Sequence, residues 1–223
     1  MKMLRNFTIR FVMLTILGIF CVMWAGVGLY STWSLSRVSD GNDVDRQLVR
    51  QMTVLSQGND QYFRFVTRLS RAMEVKAAGG TPDLAPAQQA LDNMSKKLAE
   101  MKAISPGPMD EKVSAQVIST WQALLDRGVT PQMAQAKQAT LEGYRQHANN
   151  VTPPLSRAFG AAAENFNNTA AKALDSTRVV VDGLTSMTRT VIITATIVGL
   201  LILLFTDRYL VAILVKPLDR IRP

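Results

Sequence analysis

The sequence predicts an all-α protein in which two transmembrane helices flank an antiparallel up-down-up-down four-helix bundle. Three observations lead there. Two uncharged apolar runs, residues 11–30 and 190–206, lie towards the two ends of the 223-residue chain. The stretch between them, residues 31–189, carries apolar residues at helical spacing and breaks only at Gly/Pro turn signals. No alternating apolar and polar run of strand length competes with that pattern.

The apolar runs are 20 and 17 residues long. At about 1.5 Å rise per residue each crosses a hydrocarbon layer roughly 30 Å thick, the second with little tilt to spare. That excludes an ordinary soluble enzyme. The first run also has the look of a secretory signal, a basic start followed by an apolar stretch. Its length and the poor Ala25-Gly26-Val27-Gly28 cleavage candidate favour an uncleaved anchor. The only cysteine, Cys21, lies inside this run, so no disulfide within the chain is possible and packing alone must hold the region between the runs.

The net charge of +8 resembles a nucleic-acid signal until it is divided along the chain. Residues 1–10 carry +3, residues 207–223 carry +2, and the 159 residues between the runs carry only +3. Basic excess beside both spans places the two termini in the cytoplasm and the middle outside, by the positive-inside rule. The expected order is a cytoplasmic N-terminus (1–10), a first span (11–30), an external bundle (31–189), a second span (190–206) and a cytoplasmic control segment (207–223). Nucleic acid is not an expected partner.

Within the external region the clearest periodicity is Leu48, Met52, Leu55, Asn59, Tyr62, Val66, Leu69 and Met73, an alternation of four and three that marks one helix face. No proline interrupts the chain before Pro82, so the first span and this stripe belong to one helix reaching to about Ala78; Gly58 weakens it by up to about 1 kcal/mol without ending it. Gly79-Gly80-Thr81-Pro82 is a turn. A second helix follows over 85–103, with Leu91, Met94, Leu98 and Met101 on one face, and Ser105-Pro106-Gly107-Pro108 breaks it. A third starts near Asp110 and carries Val113, Val117, Trp121, Leu124 and Leu125; Gly128 and Pro131 bend or interrupt it before about Ala139. Residues 141–150 give no clear signal. Thr152 is an N-cap candidate before Pro153 and Pro154, which suit a first helical turn, and a proline-free fourth helix then runs into the second span.

The catalytic inventory is thin: one histidine, His147, in a polar stretch that reads as solvated surface, and none of the common nucleophile, zinc or phosphate-loop motifs. Asp40, Asp43 and Asp45 begin like a calcium loop but do not complete its pattern. No enzyme, cofactor or metal site is expected. The informative cluster is basic. Arg64, Arg68 and Arg71 are spaced four and three apart, with Lys76 about a turn further on. They point away from the helix's own core stripe, so one reading is a solvated outer face with Asp60–Arg64 and Arg71–Glu74 pairs worth a few tenths of a kcal/mol each. The other is a two-fold homodimer in which six arginines converge and need an anion between them. Planar guanidinium groups hold carboxylates bidentately, and three or four such bonds at about 1.5–3 kcal/mol each give roughly micromolar binding after association costs.

The layout resembles the enteric transmembrane chemoreceptors, the methyl-accepting chemotaxis proteins with a four-helix periplasmic sensor. The resemblance rests on the two spans about the external region, Leu69-Ser70-Arg71 in an arginine-bearing first helix, the prolines opening the fourth helix and Val215-Lys216-Pro217-Leu218 after the second span, which looks like the start of a HAMP linker. It implies a homodimer in the bacterial inner membrane, a sensor without catalytic activity, and in the full-length receptor a cytoplasmic kinase and a coupling protein as partners. In the aspartate and serine receptors a ligand-binding arginine matches Arg71, while two further arginines fall on Val66 and Val75 and a threonine on Leu155. The implied ligand-binding set is therefore Arg64, Arg68, Arg71, Lys76, Thr152 and Leu155. Loss of the threonine hydroxyl favours a small di- or tricarboxylate over an amino acid, and the stretch from Asn59 through Met73 is most similar to the citrate-sensing member of these receptors. Binding is expected to shift the fourth helix slightly along its axis. Because the chain stops at Pro223, before any methylated coiled coil, a truncated receptor is expected. A histidine-kinase input module of the same fold, or a two-span scaffold that binds a protein, are the alternatives.

Overall fold

The computed structural model describes residues 9–138 and 140–210, and within them every regular element is helical. The order is α1 (Ile9–Ala77), α2 (Ala85–Ile104), α3 (Glu111–Ala123), a π-helical turn (Leu124–Val129), α4 (Thr130–Gln138), α5 (Leu141–Asn150) and α6 (Thr152–Leu210). The chain forms two units, a bundle over Asn42–Thr177 and a second unit from the parts of α1 and α6 outside it. The HAMP-like stretch at 215–218 and most of the control segment lie outside the described residues.

In the bundle, α1, α2, α3 with α4, and α6 supply the four helices. Their core joins Leu48, Leu55, Phe65 and Leu69 to Met94, Met101, Val117, Trp121, Phe159 and Phe166, all at most 1% exposed. The expected α1 stripe is half right. Leu48, Leu55, Tyr62, Leu69 and Met73 are buried, but the line beside them is Gln51, Gly58, Phe65 and Ala72, while Met52, Asn59 and Val66 are only half-buried. A bundle helix buries about three positions in seven, so an apolar stripe one position wide misplaces its own centre. Gly58, read from sequence as a weak point, is a seat. A Cβ there would lie inside the Trp121 ring, which stacks against Phe159 with ring centroids 5.3 Å apart.

The turns follow local chemistry. Asp110 caps α3, its Oδ1 accepting from the N–H groups of Lys112 (2.9 Å) and Val113 (3.1 Å). Buried Gln51 fastens the α2–α3 connection by donating from Nε2 to the carbonyls of Ile104 and Pro106, each at 2.9 Å. Lys97 and Arg50 both face Glu100, and the Lys97 hydrogen bond in particular holds the Glu100 carboxyl below the usual carboxylate range. Gly128 and Pro131 do not break the third helix. Pro131 has no N–H to give, and the chain widens into a π-turn just before it, with Thr130 N–H donating to the Leu125 carbonyl five residues back.

Residues 141–150, which carry no clear sequence signal, form α5, and Thr140 Oγ1 accepts from Gly143 N–H at its start. The expected N-cap role of Thr152 is not what its hydroxyl does. Thr152 is 3% exposed and donates to Gln132 Oε1 at 2.8 Å, while Pro153 and Pro154 occupy the first turn of α6 as expected. Asp40, Asp43 and Asp45 lie within helix rather than a loop, and no metal-holding cluster of acidic, histidine or cysteine side chains occurs among the described residues.

The second unit pairs the apolar ends of α1 and α6, both long and apolar enough to cross a membrane. Leu17, Val22 and Leu29 on α1, like Leu200, Leu204 and Phe205 on α6, are exposed. Thr15, Thr196 and Thr206 return their hydroxyls to carbonyls four residues back, which satisfies those three donors on an apolar helix. Ser34 and Thr188 share a 2.6 Å hydroxyl–hydroxyl bond between the two helices.

Gly58→Ala drives a methyl into Trp121 and is expected to cost about 1–3 kcal/mol. Gly160→Ala, where nothing lies within 4 Å of the added Cβ, is expected to stabilise by about 0.5–1 kcal/mol, as Ala outranks Gly in an exposed helix interior. Thermal unfolding of the two variants beside the parent checks both signs.

Candidate functional site

One flank of the bundle carries a polar cleft of about 520 Å³. Its α1 wall is Tyr62, Val66, Ser70, Met73, Glu74 and Ala77, residues three or four apart and therefore on one side of that helix. α5 supplies Tyr144, Arg145 and Asn149, and the first turn of α6 supplies Thr152, Pro153 and Ser156. Gln132 of α4 reaches the floor, where its Oε1 takes the Thr152 hydrogen bond. Arg145 and Glu74, both exposed, are the only charged residues in the lining.

The cleft owes its shape to the corner where α5 meets α6. Gly128 lies buried beneath it, and a Cβ there would come within 3.1 Å of Leu124 Cδ1, 3.4 Å of Leu155 Cδ1 and 3.7 Å of Thr152 Cγ2. Without a side chain at that point of the π-turn, the first turn of α6 settles against it. His147 also bonds there, Nε2 to the Gly128 carbonyl at 2.9 Å, and it is half-buried rather than the solvated surface residue its neighbours suggested.

The six residues singled out in the sequence go to different places. Thr152 lines the cleft; the other five do not. Arg64 donates from Nε to Asp60 Oδ2 at 2.7 Å on the outer face. Arg68 donates from Nη1 to the Pro86 carbonyl at the start of α2, 3.0 Å away. Lys76 donates to the Ala136 carbonyl in the last turn of α4 at 3.3 Å, a favourable place for a cation. Leu155 is half-buried against the core beside Gly128. Arg71 is exposed, and neither the expected Glu74 pair nor any other ion-pair partner forms among the described residues.

Counting about 100° per residue from Tyr62, the cleft flank of α1 spans about 0–120°, and Arg71, Arg64 and Arg68 fall at about 180°, 200° and 240°. A second line, Val49, Met52, Ser56, Asn59, Phe63, Val66 and Ser70, spaced three and four apart, falls at about 40–140°: it shares Val66 and Ser70 with the cleft flank, and Phe63 and Val49 carry it to about 100° and 140°, towards the arginines. It is apolar at four positions, with Phe63 58% and Val49 48% exposed. Sequence reasoning missed Arg145. Its signal is in Tyr144, Arg145, Ala148 and Asn149, two pairs at a four-residue spacing within a stretch whose polarity otherwise marks it as surface.

A family model described as "Tar ligand binding domain homologue" matches residues 3–174, more than three quarters of the chain. The chain belongs to that family. A crystal structure of the N-terminal ligand-binding domain of a protein described as a methyl-accepting chemotaxis protein from Salmonella enterica shares 66% identity with it. The match covers 60% of this chain and 98% of that one, at a TM-score of 0.59. No curated protein matches the chain. The bundle is thus the ligand-binding sensor domain of a methyl-accepting chemotaxis receptor, a family of sensors and not of enzymes. The cleft, built on the bundle's first and last helices, is the candidate place for a ligand.

Thr152→Val leaves the buried Gln132 Oε1 without a donor and is expected to cost about 1–3 kcal/mol. Replacing both partners, Thr152→Val with Gln132→Met, should recover most of that loss. Unfolding midpoints of the two single variants and the double variant give the coupling directly.

Proposed function

We propose that this chain is the sensor portion of an inner-membrane chemotaxis receptor whose periplasmic bundle binds a small di- or tricarboxylate such as citrate at a homodimer interface. The observation that carries the reading is a half-exposed apolar line on α1 that runs along the cleft flank and whose most exposed members, Val49 and Phe63, lie on the side nearer the arginine face. The line of Val49, Met52, Phe63 and Val66 is what a second copy would cover. Two chains anchored in one membrane with the same topology present their α1 helices parallel. A two-fold axis beside Val49 and Phe63 then sets the cleft side of each α1 against the arginine side of the other.

In such a dimer Arg71 and Arg64 of one chain reach the rim of the partner's cleft, not of their own. The cleft's own lining carries one cation and one anion, which leaves no net positive charge for an anionic ligand. Arg71 from a second copy supplies it, since Arg64 is already paired with Asp60, and with Arg145 gives two guanidinium groups for two carboxylates. Thr152, Ser156 and Asn149 offer neutral donors between them. Arg68 and Lys76, tied to backbone carbonyls of α2 and α4, hold the frame at this level of α1.

Transmission follows from α6, which contains both Thr152 of the cleft and the second apolar run. A ligand that favours one placement of the α6 first turn biases the helix as a whole, provided that it binds the two placements with different affinity. The two apolar runs serve as spans, with both termini cytoplasmic.

Calorimetric titration of the 223-residue chain in nanodiscs tests the site. Citrate should bind saturably, and Arg71→Ala and Arg145→Ala should each weaken binding by at least about 1.5 kcal/mol, the low end for a charge-assisted bond. Citrate binding that is unaltered in both variants, or absent from the parent chain, contradicts the reading.

A further inference from the structure

We infer that His147 is a positioning residue for the cleft, the strut that holds α5, and with it Arg145 and Tyr144, against the π-turn. α5 has ten residues, too few to persist by its own hydrogen bonds. It nevertheless supplies a whole wall of the cleft, including its only cation. Something beyond the helix itself must fix it.

Two things do. Tyr144, 7% exposed, packs into the core, with Leu141 and Ala148 half-buried beside it. The other is polar and single. Among the described residues, His147 Nε2 to the Gly128 carbonyl is the one hydrogen bond from an α5 side chain to another helix. A carbonyl only accepts, so Nε2 carries the hydrogen in this contact. The His147 carbonyl accepts from Val151 N–H at 3.0 Å, which closes the last turn of α5 itself. The ring is therefore the polar tie from α5 to the π-turn.

His147 does not line the cleft, whereas Tyr144, Arg145, Ala148 and Asn149 around it do. It acts on a ligand through them. Gly128 fits the same role from the other side. It is buried in the π-turn. Its missing side chain lets the corner approach closely enough for the 2.9 Å bond. The residue that the sequence presents as idle surface is the one that sets the position of the cleft's cation.

The claim about α5 stands on geometry; the claim about ligand affinity also rests on the function proposed above, and the test separates them. Amide hydrogen exchange is followed on the ligand-free 223-residue chain in nanodiscs, for the parent, His147→Phe, which keeps a ring and removes the donor, and His147→Gln, which keeps a donor. The expected result is exchange across 141–150 faster by about three- to tenfold in His147→Phe, the factor one hydrogen bond carries, with 48–73 unchanged and near-parental exchange in His147→Gln. Unchanged exchange over 141–150, or an equal rise over 48–73, overturns the strut. Citrate titration adds the second arm. His147→Phe should weaken citrate binding by a similar factor and add nothing to the loss caused by Arg145→Ala. Fully additive losses overturn action through Arg145. A parent chain that does not bind citrate overturns the carboxylate reading instead, and the exchange result then decides the strut alone.

Discussion

Pro131 removes one backbone donor from the third bundle helix, and the cleft depends on how the chain absorbs that loss. An α-helix meets an internal proline with a missing hydrogen bond and a ring against the carbonyl four residues back. Here the preceding turn widens to π geometry over Leu124–Val129 and the helix goes on as α4. The widened turn carries Gly128, whose bare Cα gives Leu155 and Thr152 of α6 room to approach and whose carbonyl receives His147. One turn further along, Gln132 receives the Thr152 hydroxyl. Five residues, from the third bundle helix, α5 and α6, thereby fix the corner that walls the cleft, about a helix that bulges before its proline.

Charge sets the second constraint. A cleft lined by Arg145 and Glu74 has no net attraction for an anion, while the arginines of α1 sit on a face turned away from it. Within a single chain these are two unrelated features. On the proposed reading, two-fold symmetry joins them, because rotation about an axis beside Val49 and Phe63 exchanges the two sides of the helix. Occupancy and association are then coupled: an anion between the chains relieves the repulsion of the arginines that face it, so each favours the other.

The architecture was legible from sequence because it rests on strong, local signals. Apolar runs of membrane length, glycine–proline turns and Asp110 before an amphipathic stretch each act over a few residues. What was not legible depends on contacts distant in sequence. Gly58 reads as a weakness until Trp121, more than sixty residues away, occupies the space that a side chain would take. Thr152 has every local feature of an N-cap, and Gln132 outcompetes the backbone for its hydroxyl. His147 in a polar decapeptide offers no hint of the Gly128 carbonyl. The arginines were visible as a cluster, but a cluster on a helix does not say which molecule it faces. The family match covering residues 3–174 assigns the bundle as a ligand-binding domain and leaves its ligand to the chemistry of the cleft.

The central claim, that each cleft is completed by arginine from the other chain, is tested most directly with mixed dimers. Chains carrying Arg71→Ala and chains carrying Arg145→Ala are co-assembled in nanodiscs under distinguishable tags, and citrate binding to the isolated mixed pair is titrated. Sharing across the interface leaves one of the two sites with both arginines intact, so the account predicts citrate binding at near-parental affinity to half the sites. If Arg71 and Arg145 serve the same chain's site, no site in the mixed pair is whole. Affinity as weak as in the two homogeneous variants would contradict the account.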